Sequence, residues 1–335
     1  MSTTMRAIAV KDGKGPATSL YMDQIAKPVP APGQALVKIR AFGLNRMDLL
    51  QREGVYPVPP QAPATIGVEF SGIVEEFGGD AGGFKVGDEV FGLAYGGAYA
   101  EYIAVSTKML VHKPKQLSWE KAAGVPETWI TASQALFLIG EFQAGQSVLW
   151  HAGASSVSIS GIQLAKAAGA KAIYATAGSQ EKIDFLEKEL GVTAAFNYKT
   201  QDWAGEIQKA TGGAGVNLTV DFIGATYFQG NLDVAARDGR VVLLGLMGGG
   251  KLPDGVNIAP LLMKRIRIEG STLRSRDEDY QGRLRDTLVE HALPRFCDQT
   301  FRVFVEKVLP WSEIQSAHQL LESNATKGKI ICVVE

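Results

Sequence analysis

The segment HAGASSVSISGIQLAKAAGAKAIYATAGSQEK has the residue types and the spacing of a nucleotide-binding turn. An apolar run, SVLWHA, leads into Gly153, and a segment rich in small residues follows it. In strand–turn–helix units of this kind, the helix N-terminus offers backbone N–H groups and a partial positive charge to a pyrophosphate. The pattern therefore predicts a dinucleotide site around Gly153, Ser155, Ser156 and Val157.

Two positions of this turn depart from the usual glycine pattern. The frame GASSVS begins with Gly153 but has Ser155 and Ser158 where the second and third glycines of the G-x-G-x-x-G pattern are expected. A side chain there is unfavourable by about 1 kcal/mol only where the backbone needs a positive φ. The alternative interpretation is a strand–helix turn of an α/β fold that binds no ligand.

The end of the following strand indicates which cofactor the site would take. NAD-binding versions place an acidic residue there to bond the ribose 2′-hydroxyl. This sequence, YATAGSQEK, has Gly178 and Ser179 at that place, and Lys182 can bind the extra phosphate of NADPH. Tyr198, after the next strand, is expected beside the same phosphate. For Lys182 an ordinary exposed lysine on a helix is the alternative.

The secondary-structure elements that must position these residues show two different sequence patterns along the chain. Six apolar runs alternate with helical segments between residues 128 and 270, which predicts an α/β fold with a Rossmann doubly wound parallel sheet. Before that, short apolar runs interrupted by Gly and Pro predict a β-rich domain. The tail is expected to return to it. We therefore predict one domain of residues 1–127 and 271–335 and a second of residues 128–270.

Composition excludes several classes of protein. The formal net charge of −1 over 335 residues gives no basic field for nucleic acid or an anionic membrane. Two cysteines are too few for a disulfide framework or a four-cysteine zinc lobe. We read no signal peptide and no run of eighteen apolar residues, and we expect a cytoplasmic protein.

Several motifs, taken together, resemble the medium-chain dehydrogenase/reductase superfamily in its zinc-independent NADPH:quinone oxidoreductase branch. They are GLNRMDLLQREGVYPVPP, GVEFSGIV, VGDEVFGL, TAGSQEK, FNYK, GAGVNLTVDFIG, GRVVLLGLMGGG and LRSRD. The resemblance implies a GroES-like catalytic domain beside the Rossmann domain, NADPH as cofactor, a small-molecule quinone substrate and a homodimer. Zinc-dependent relatives carry cysteine where this chain has Asn45 and histidine where it has Val68, so no metal is expected.

The same resemblance implies which residues contact substrate and cofactor in a cleft between the domains. Asn45 and Tyr56 are expected to face the substrate, with Tyr56 donating a hydrogen bond or a proton to a quinone oxygen. A packed loop aromatic is the alternative for Tyr56. Further cofactor contacts are expected at Thr131, Phe222, Gly245, Leu246, Met247, Thr272, Leu273, Arg274 and Asn324.

A quinone is already electrophilic, and its ring delocalises the charge that it accepts. Hydride transfer to it requires that donor and acceptor be held together without water, and it does not require a Lewis acid. The sequence therefore favours NADPH-dependent reduction of quinones. Reduction of activated C=C bonds in enals and enones is a close alternative, and a nucleotide-binding protein with little turnover is a third.

Overall fold

The structure is a computed structural model, which describes residues 3–335. The described residues form two compact units. One runs up to Ile130 and includes Leu273–Glu335, and the other is Thr131–Thr272.

The strands of residues 3–335 are β1 (Thr4–Val10), β2 (Leu20–Ala26), β3 (Gln34–Gly43), β4 (Glu69–Phe77), β5 (Glu89–Leu93), β6 (Tyr102–Ser106), β7 (Leu110–His112), β8 (Ser147–Trp150), β9 (Ala172–Ala177), β10 (Ala194–Asn197), β11 (Val216–Asp221), β12 (Ala235–Leu243), β13 (Arg267–Gly270), β14 (Val305–Pro310) and β15 (Lys329–Val333). The helices are α1 (Arg46–Arg52), α2 (Trp119–Ala123), α3 (Pro126–Ser133), α4 (Ser156–Ala167), α5 (Gln180–Lys188), α6 (Trp203–Ala210), α7 (Phe228–Val234), α8 (Ala259–Lys264), α9 (Glu278–His291), α10 (Leu293–Cys297) and α11 (Ile314–Glu322). A π-helical segment, Gln134–Ile139, follows α3, and short 3₁₀ turns lie at Lys11–Gly13, Ala17–Ser19, Thr107–Met109, Ala225–Tyr227 and Trp311–Glu313.

The unit Thr131–Thr272 contains the predicted parallel sheet. Its strand order is β10-β9-β8-β11-β12-β13, so the chain starts in the middle and winds outward in both directions. This order is the doubly wound order of dinucleotide-binding folds, and it confirms the predicted fold class. The amphipathic helix α5 buries Ile183 and Leu186, as its spacing predicts.

The other unit is built on a seven-stranded sheet. The strands run in the order β14-β15-β3-β4-β5-β7, with β6 also paired to β3. The C-terminal strand β15 pairs antiparallel with β3, with Ile331 opposite Gly43. This pairing brings the tail of the chain beside the start of α1, which follows β3 directly.

Across residues 3–335, no helix combines the length and the apolar character needed to cross a bilayer.

Candidate active site

Four loops meet at the carboxyl edge of the parallel sheet. They follow the adjacent strands β9, β8, β11 and β12, and they contain Gly178–Ser179, the turn 151–155, Phe222 and the segment Gly245–Met247. Backbone hydrogen bonds connect these segments, since Gly153 N–H donates to Thr176 O near the end of β9 over 2.8 Å and Met247 N–H donates to Phe222 O over 3.0 Å. In open α/β sheets this edge is where ligands bind.

The serines of the turn start helix α4. Ser155 is the N-cap, and its Oγ accepts the Ser158 N–H over 3.4 Å. The buried Ser158 hydroxyl donates to His151 O over 2.9 Å and accepts from Ser155 Oγ over 3.1 Å. Both Ser156 and Ser158 have ordinary helical backbone, and the positive φ of this turn, 47°, falls on Ala152. The serines therefore strain no backbone, and Ser158 bonds to protein.

Close packing of this turn depends on two glycines. A Cβ on Gly153 would lie 2.8 Å from Ala175 Cβ, and one on Gly161 would lie 2.1 Å from the Trp150 ring. The close contact between helix and strand, which the glycine frame places at position 158, therefore lies one turn later in α4. Gly161 lies outside the six-residue frame 153–158, so the frame does not indicate this contact.

Gly178 and Ser179 directly follow the end of β9. Gly178 has Tyr198 directly beside it, because a Cβ there would lie 2.6 Å from Tyr198 Oη and 3.2 Å from Lys199 Cε. Ser179 is the N-cap of α5 and accepts the Lys182 N–H over 3.4 Å. The structure thus brings together Gly178, Ser179, Lys182 and Tyr198, as predicted from the sequence, and adds Lys199.

In the other unit, a lysine ammonium lies at the start of α1. Lys329 is buried, and its Nζ donates to Asn45 Oδ1 over 2.9 Å, to Leu44 O over 2.8 Å and to Glu69 Oε1. Asn45 Nδ2 also donates to Glu69 Oε1 over 2.9 Å, so the Asn45 amide joins the ammonium to the carboxylate. Gly43 leaves room for this carboxylate, since a Cβ there would lie 2.3 Å from Glu69 Oε1.

Two more buried carboxyls lie around this centre. Glu127 N–H donates to Glu69 Oε2 over 2.9 Å. Burial and the charge of Glu69 raise the pKa of the Glu127 carboxyl to about 7. Burial raises the pKa of Asp48 to about 6, against hydrogen bonds to its Oδ2 from Asn45 N–H at 2.8 Å and Tyr99 Oη at 3.1 Å. The Glu127 carboxyl therefore titrates near neutral pH, and Asp48 titrates below it.

Tyr56 and Arg274 lie together beside these carboxyls. The Arg274 guanidinium carbon is 5.3 Å from the centre of the Tyr56 ring, and Arg274 Nε donates to Tyr95 O over 2.7 Å. Arg274 is buried, whereas Tyr56 is half-buried. Burial and the Glu127 charge raise the pKa of Tyr56, while the Arg274 charge lowers it. A phenol in these surroundings keeps its proton at neutral pH and can donate it in a hydrogen bond.

The remaining predicted residues have varied surroundings. Thr131 is partly exposed, and the exposed Thr272 accepts Gln134 Nε2 at its carbonyl over 3.2 Å. Leu273 is buried. Asn324 lies on an exposed turn with a φ of 54°, where its Oδ1 accepts from Arg46 Nη2.

Several polar residues of these sites are missing from the sequence prediction, among them Lys329, Glu127, Asp48 and Lys199. Lys329 and Glu127 lie in apolar or tail segments where no local pattern indicates burial beside a carboxylate. Lys199 directly follows Tyr198, and a second cation next to a predicted phosphate contact is a signal that the sequence does offer.

Sequence comparison identifies the family. The family model described as alcohol dehydrogenase GroES-like domain matches residues 31–115, and the one described as zinc-binding dehydrogenase matches residues 156–290. A quinone oxidoreductase of Pongo abelii is 30% identical over 279 residues, which cover 83% of this chain and 83% of the relative. The chain belongs to the medium-chain dehydrogenase/reductase superfamily. A zinc-type alcohol dehydrogenase-like protein of Schizosaccharomyces pombe is also 30% identical, over 91% of this chain and 92% of its own length.

Solved structures of the superfamily have the same fold. An NAD-dependent alcohol dehydrogenase matches with a TM-score of 0.86 and 31% identity, over 99% of this chain and 100% of its own. The CurK enoyl reductase matches with a TM-score of 0.86 and 26% identity over the full length of both chains. A mycobacterial protein in complex with NADPH matches with a TM-score of 0.85 and 29% identity, over 98% of this chain and 99% of its own. The protein is therefore an oxidoreductase of a superfamily that uses nicotinamide cofactors.

Proposed function

We propose that this protein reduces quinones with NADPH by hydride transfer that needs no metal. The observation that carries the proposal is the ammonium of Lys329 on Glu69 and Asn45. Asn45 and Val68 stand where zinc-dependent relatives have cysteine and histidine. The site therefore offers an amide, an alkyl group and a carboxylate that is already paired with a cation, which is a poor ligand set for zinc. An acceptor that is electrophilic by itself suits such a site.

The choice of NADPH rests on the end of β9, where Gly178 and Ser179 stand in place of an acidic residue. The cofactor, when bound, supplies the hydride. Ser155, Ser156 and Val157 at the N-terminus of α4 would hold its pyrophosphate, and Phe222 with Gly245–Met247 would border its nicotinamide half. Ser179, Lys182 and Tyr198 would contact the 2′-phosphate, with Lys199 nearby. By family resemblance, Thr131, Thr272, Leu273 and Asn324 complete the contacts.

The substrate side of the proposal rests on Tyr56. Its phenol, with a raised pKa, holds a proton that it can give to the oxygen of the reduced ring. Asn45 keeps Lys329 and Glu69 in place, so we assign it to positioning of the site. The quinone oxidoreductase relative supports a quinone as acceptor.

Turnover measurements test the proposal. The purified protein is given NADPH or NADH with a panel of quinones, enones, enals and simple ketones, with and without a metal chelator. We expect NADPH oxidation with quinones that the chelator leaves unchanged. Activity that a chelator removes and zinc restores would disprove the metal-free reaction.

Reduction of an activated C=C bond is the second candidate, because the CurK enoyl reductase has the same fold over its whole length. Turnover of enones without turnover of quinones would select it. NADPH binding with no turnover in the whole panel would select the nucleotide-binding role.

Lys182→Ala tests the cofactor choice. We expect the Kd for NADPH to rise about 10- to 100-fold and the Kd for NADH to stay nearly constant, since only NADPH carries the phosphate that the ammonium would bind. Fluorescence titration measures both constants. Lys188→Ala on the same helix is the matched control, because Lys188 pairs with Asp184 over 2.8 Å and should affect neither cofactor. Equal losses for the two cofactors in Lys182→Ala would remove the assigned role.

We further propose that the protein is a homodimer. Strand β13 is the edge of the parallel sheet, and helix α8, which precedes it, exposes Leu262 at 81% and Met263 at 69%. An edge strand beside exposed apolar side chains is a surface that a second copy can extend and cover.

A further inference from the structure

A chain of buried polar groups crosses beneath the loops at the carboxyl edge of the parallel sheet. Thr176 Oγ1 and His151 Nδ1 are 2.9 Å apart, and His151 Nε2 and Asn231 Oδ1 are 2.8 Å apart. Asn231 Nδ2 donates to Asp221 Oδ2 over 2.9 Å. All four side chains are at most 1% exposed. The chain joins the ends of β9, β8 and β11 through helix α7.

The direction of each hydrogen bond follows from the Asp221 end. A carboxylate only accepts, so the Asn231 amide nitrogen faces Asp221 and its oxygen faces His151. His151 Nε2 must then carry the proton, which leaves Nδ1 to accept from the Thr176 hydroxyl. Burial lowers the pKa of His151, against the charge of Asp221, so the ring stays neutral at physiological pH. Every group in the chain therefore has a defined partner.

At one end the Asp221 carboxylate fixes backbone of the loop after β11, and at the other end main-chain oxygens of Thr176 and His151 hold the turn that starts α4. Asp221 Oδ1 accepts Ile223 N–H over 2.6 Å, and Asp221 Oδ2 accepts Gly224 N–H over 3.2 Å. At the other end, Thr176 O accepts Gly153 N–H over 2.8 Å, and His151 O accepts the Ser158 hydroxyl over 2.9 Å. The network thus reaches the N-terminus of α4 and the loop that follows β11.

We propose that this network is a brace that sets the geometry of the cofactor loops before the cofactor binds, and that His151 and Thr176 are positioning residues. The inference rests on the proposed nicotinamide site. A brace of this kind lowers the ordering cost of binding, because the loop backbone is already in the bound arrangement. It acts on the pyrophosphate and nicotinamide ends, which NADPH and NADH share.

Thr176→Val and Thr219→Val form a matched pair that tests the brace. Both residues are fully buried threonines in the two strands that flank β8, and both changes keep the shape of the side chain. Thr176 Oγ1 contacts His151, whereas Thr219 Oγ1 has no hydrogen-bond partner among residues 3–335. We expect Thr176→Val to raise the Kd of both NADPH and NADH about tenfold, and Thr219→Val to change neither. Thr176→Ser keeps the hydroxyl and should bind as the natural protein does.

The measurements separate positioning from loss of stability. Titrations are made well below the unfolding midpoint of each variant, where nearly all molecules are folded and lower stability alone leaves Kd unchanged. Equal cofactor affinity in the two valine variants would overturn the brace and leave the NADPH proposal standing. A natural protein that binds NADH but not NADPH would overturn the cofactor choice and leave the brace standing.

Hydrogen exchange of the natural protein gives a test that needs no variant. We expect the amides of Gly153, Ile223 and Gly224 to be protected without cofactor nearly as well as with NADPH. Fast exchange of these amides that slows only when NADPH is added would show that the cofactor orders the loops, and the brace would be wrong.

Discussion

At the scale of single residues, Glu127 is a buried carboxyl whose ionisation opposes folding. Its pKa rises from an ordinary 4.5 to about 7 in the folded protein. Between those two pH values the folded state holds a proton that the unfolded state has released. The free energy of unfolding therefore falls as pH rises, and this contribution is lost as pH passes through about 7. The effect is at most about 3 kcal/mol.

Glu127→Gln should remove this dependence. The free energy of unfolding of the variant minus that of the natural protein is expected to rise between pH 5 and pH 8, because glutamine has no proton to lose. Urea unfolding at a series of pH values measures the difference between the two proteins, in which the contributions of other groups cancel. Glu290→Gln, at a carboxyl with 74% of its side chain exposed, is the control and should leave the slope unchanged. Parallel curves for Glu127→Gln and the natural protein would show that Glu127 is ionised throughout.

At the scale of elements, the contact between α4 and β8 depends on Gly161. Helix α4 packs so close to Trp150 that a methyl group at this position would enter the indole ring. The tight contact brings the N-terminus of α4 next to the end of β8, where the pyrophosphate would bind.

Gly161→Ala is therefore expected to destabilise the protein by about 1 to 3 kcal/mol, although alanine favours helix formation. The matched control is Gly205→Ala in α6, where the nearest atom is the movable Asp202 carboxylate and helix propensity should dominate. Thermal unfolding of both variants checks the prediction. A Gly161→Ala variant as stable as Gly205→Ala would mean that α4 can shift away from Trp150 at little cost.

At the scale of the whole molecule, the exposed face of α8 predicts how copies associate. The double substitution Leu262→Lys with Met263→Lys should convert a dimer to a monomer, because it places two charges in the apolar contact. Sedimentation velocity measures the change. Val29→Lys is the control, since Val29 is 83% exposed in the other unit and should leave association unchanged. Unchanged sedimentation of the double variant would place any interface elsewhere.

The fold was predictable from the sequence because its signals are local. Apolar runs of the parallel strands and the helical spacing of Ile183 and Leu186 record burial within a few residues of chain. The proximity of Gly178, Ser179 and Lys182 was predictable for the same reason, since Ser179 and Lys182 follow Gly178 on one turn of helix. Their cofactor roles stay predictions.

The polar centre around Lys329 was not predictable in this way. Lys329 and Glu69 are 260 positions apart in sequence, and no periodic pattern marks a lysine that will be buried against a carboxylate. Asn45 illustrates the difference, because the family resemblance implies only that it faces the substrate, whereas the bonds of its amide to Lys329 and Glu69 are visible only in the structure.

The sequence by itself determined the family, through motifs spread along the chain, and the doubly wound parallel sheet, because alternation of strands and helices follows from local spacing and from the rules of sheet winding. Only the tertiary structure decided where buried charges meet, which glycine makes the closest contact, and which hydroxyls bond to protein. Such pairings arise when distant segments come together, and their energy depends on burial and geometry that no short stretch of sequence contains.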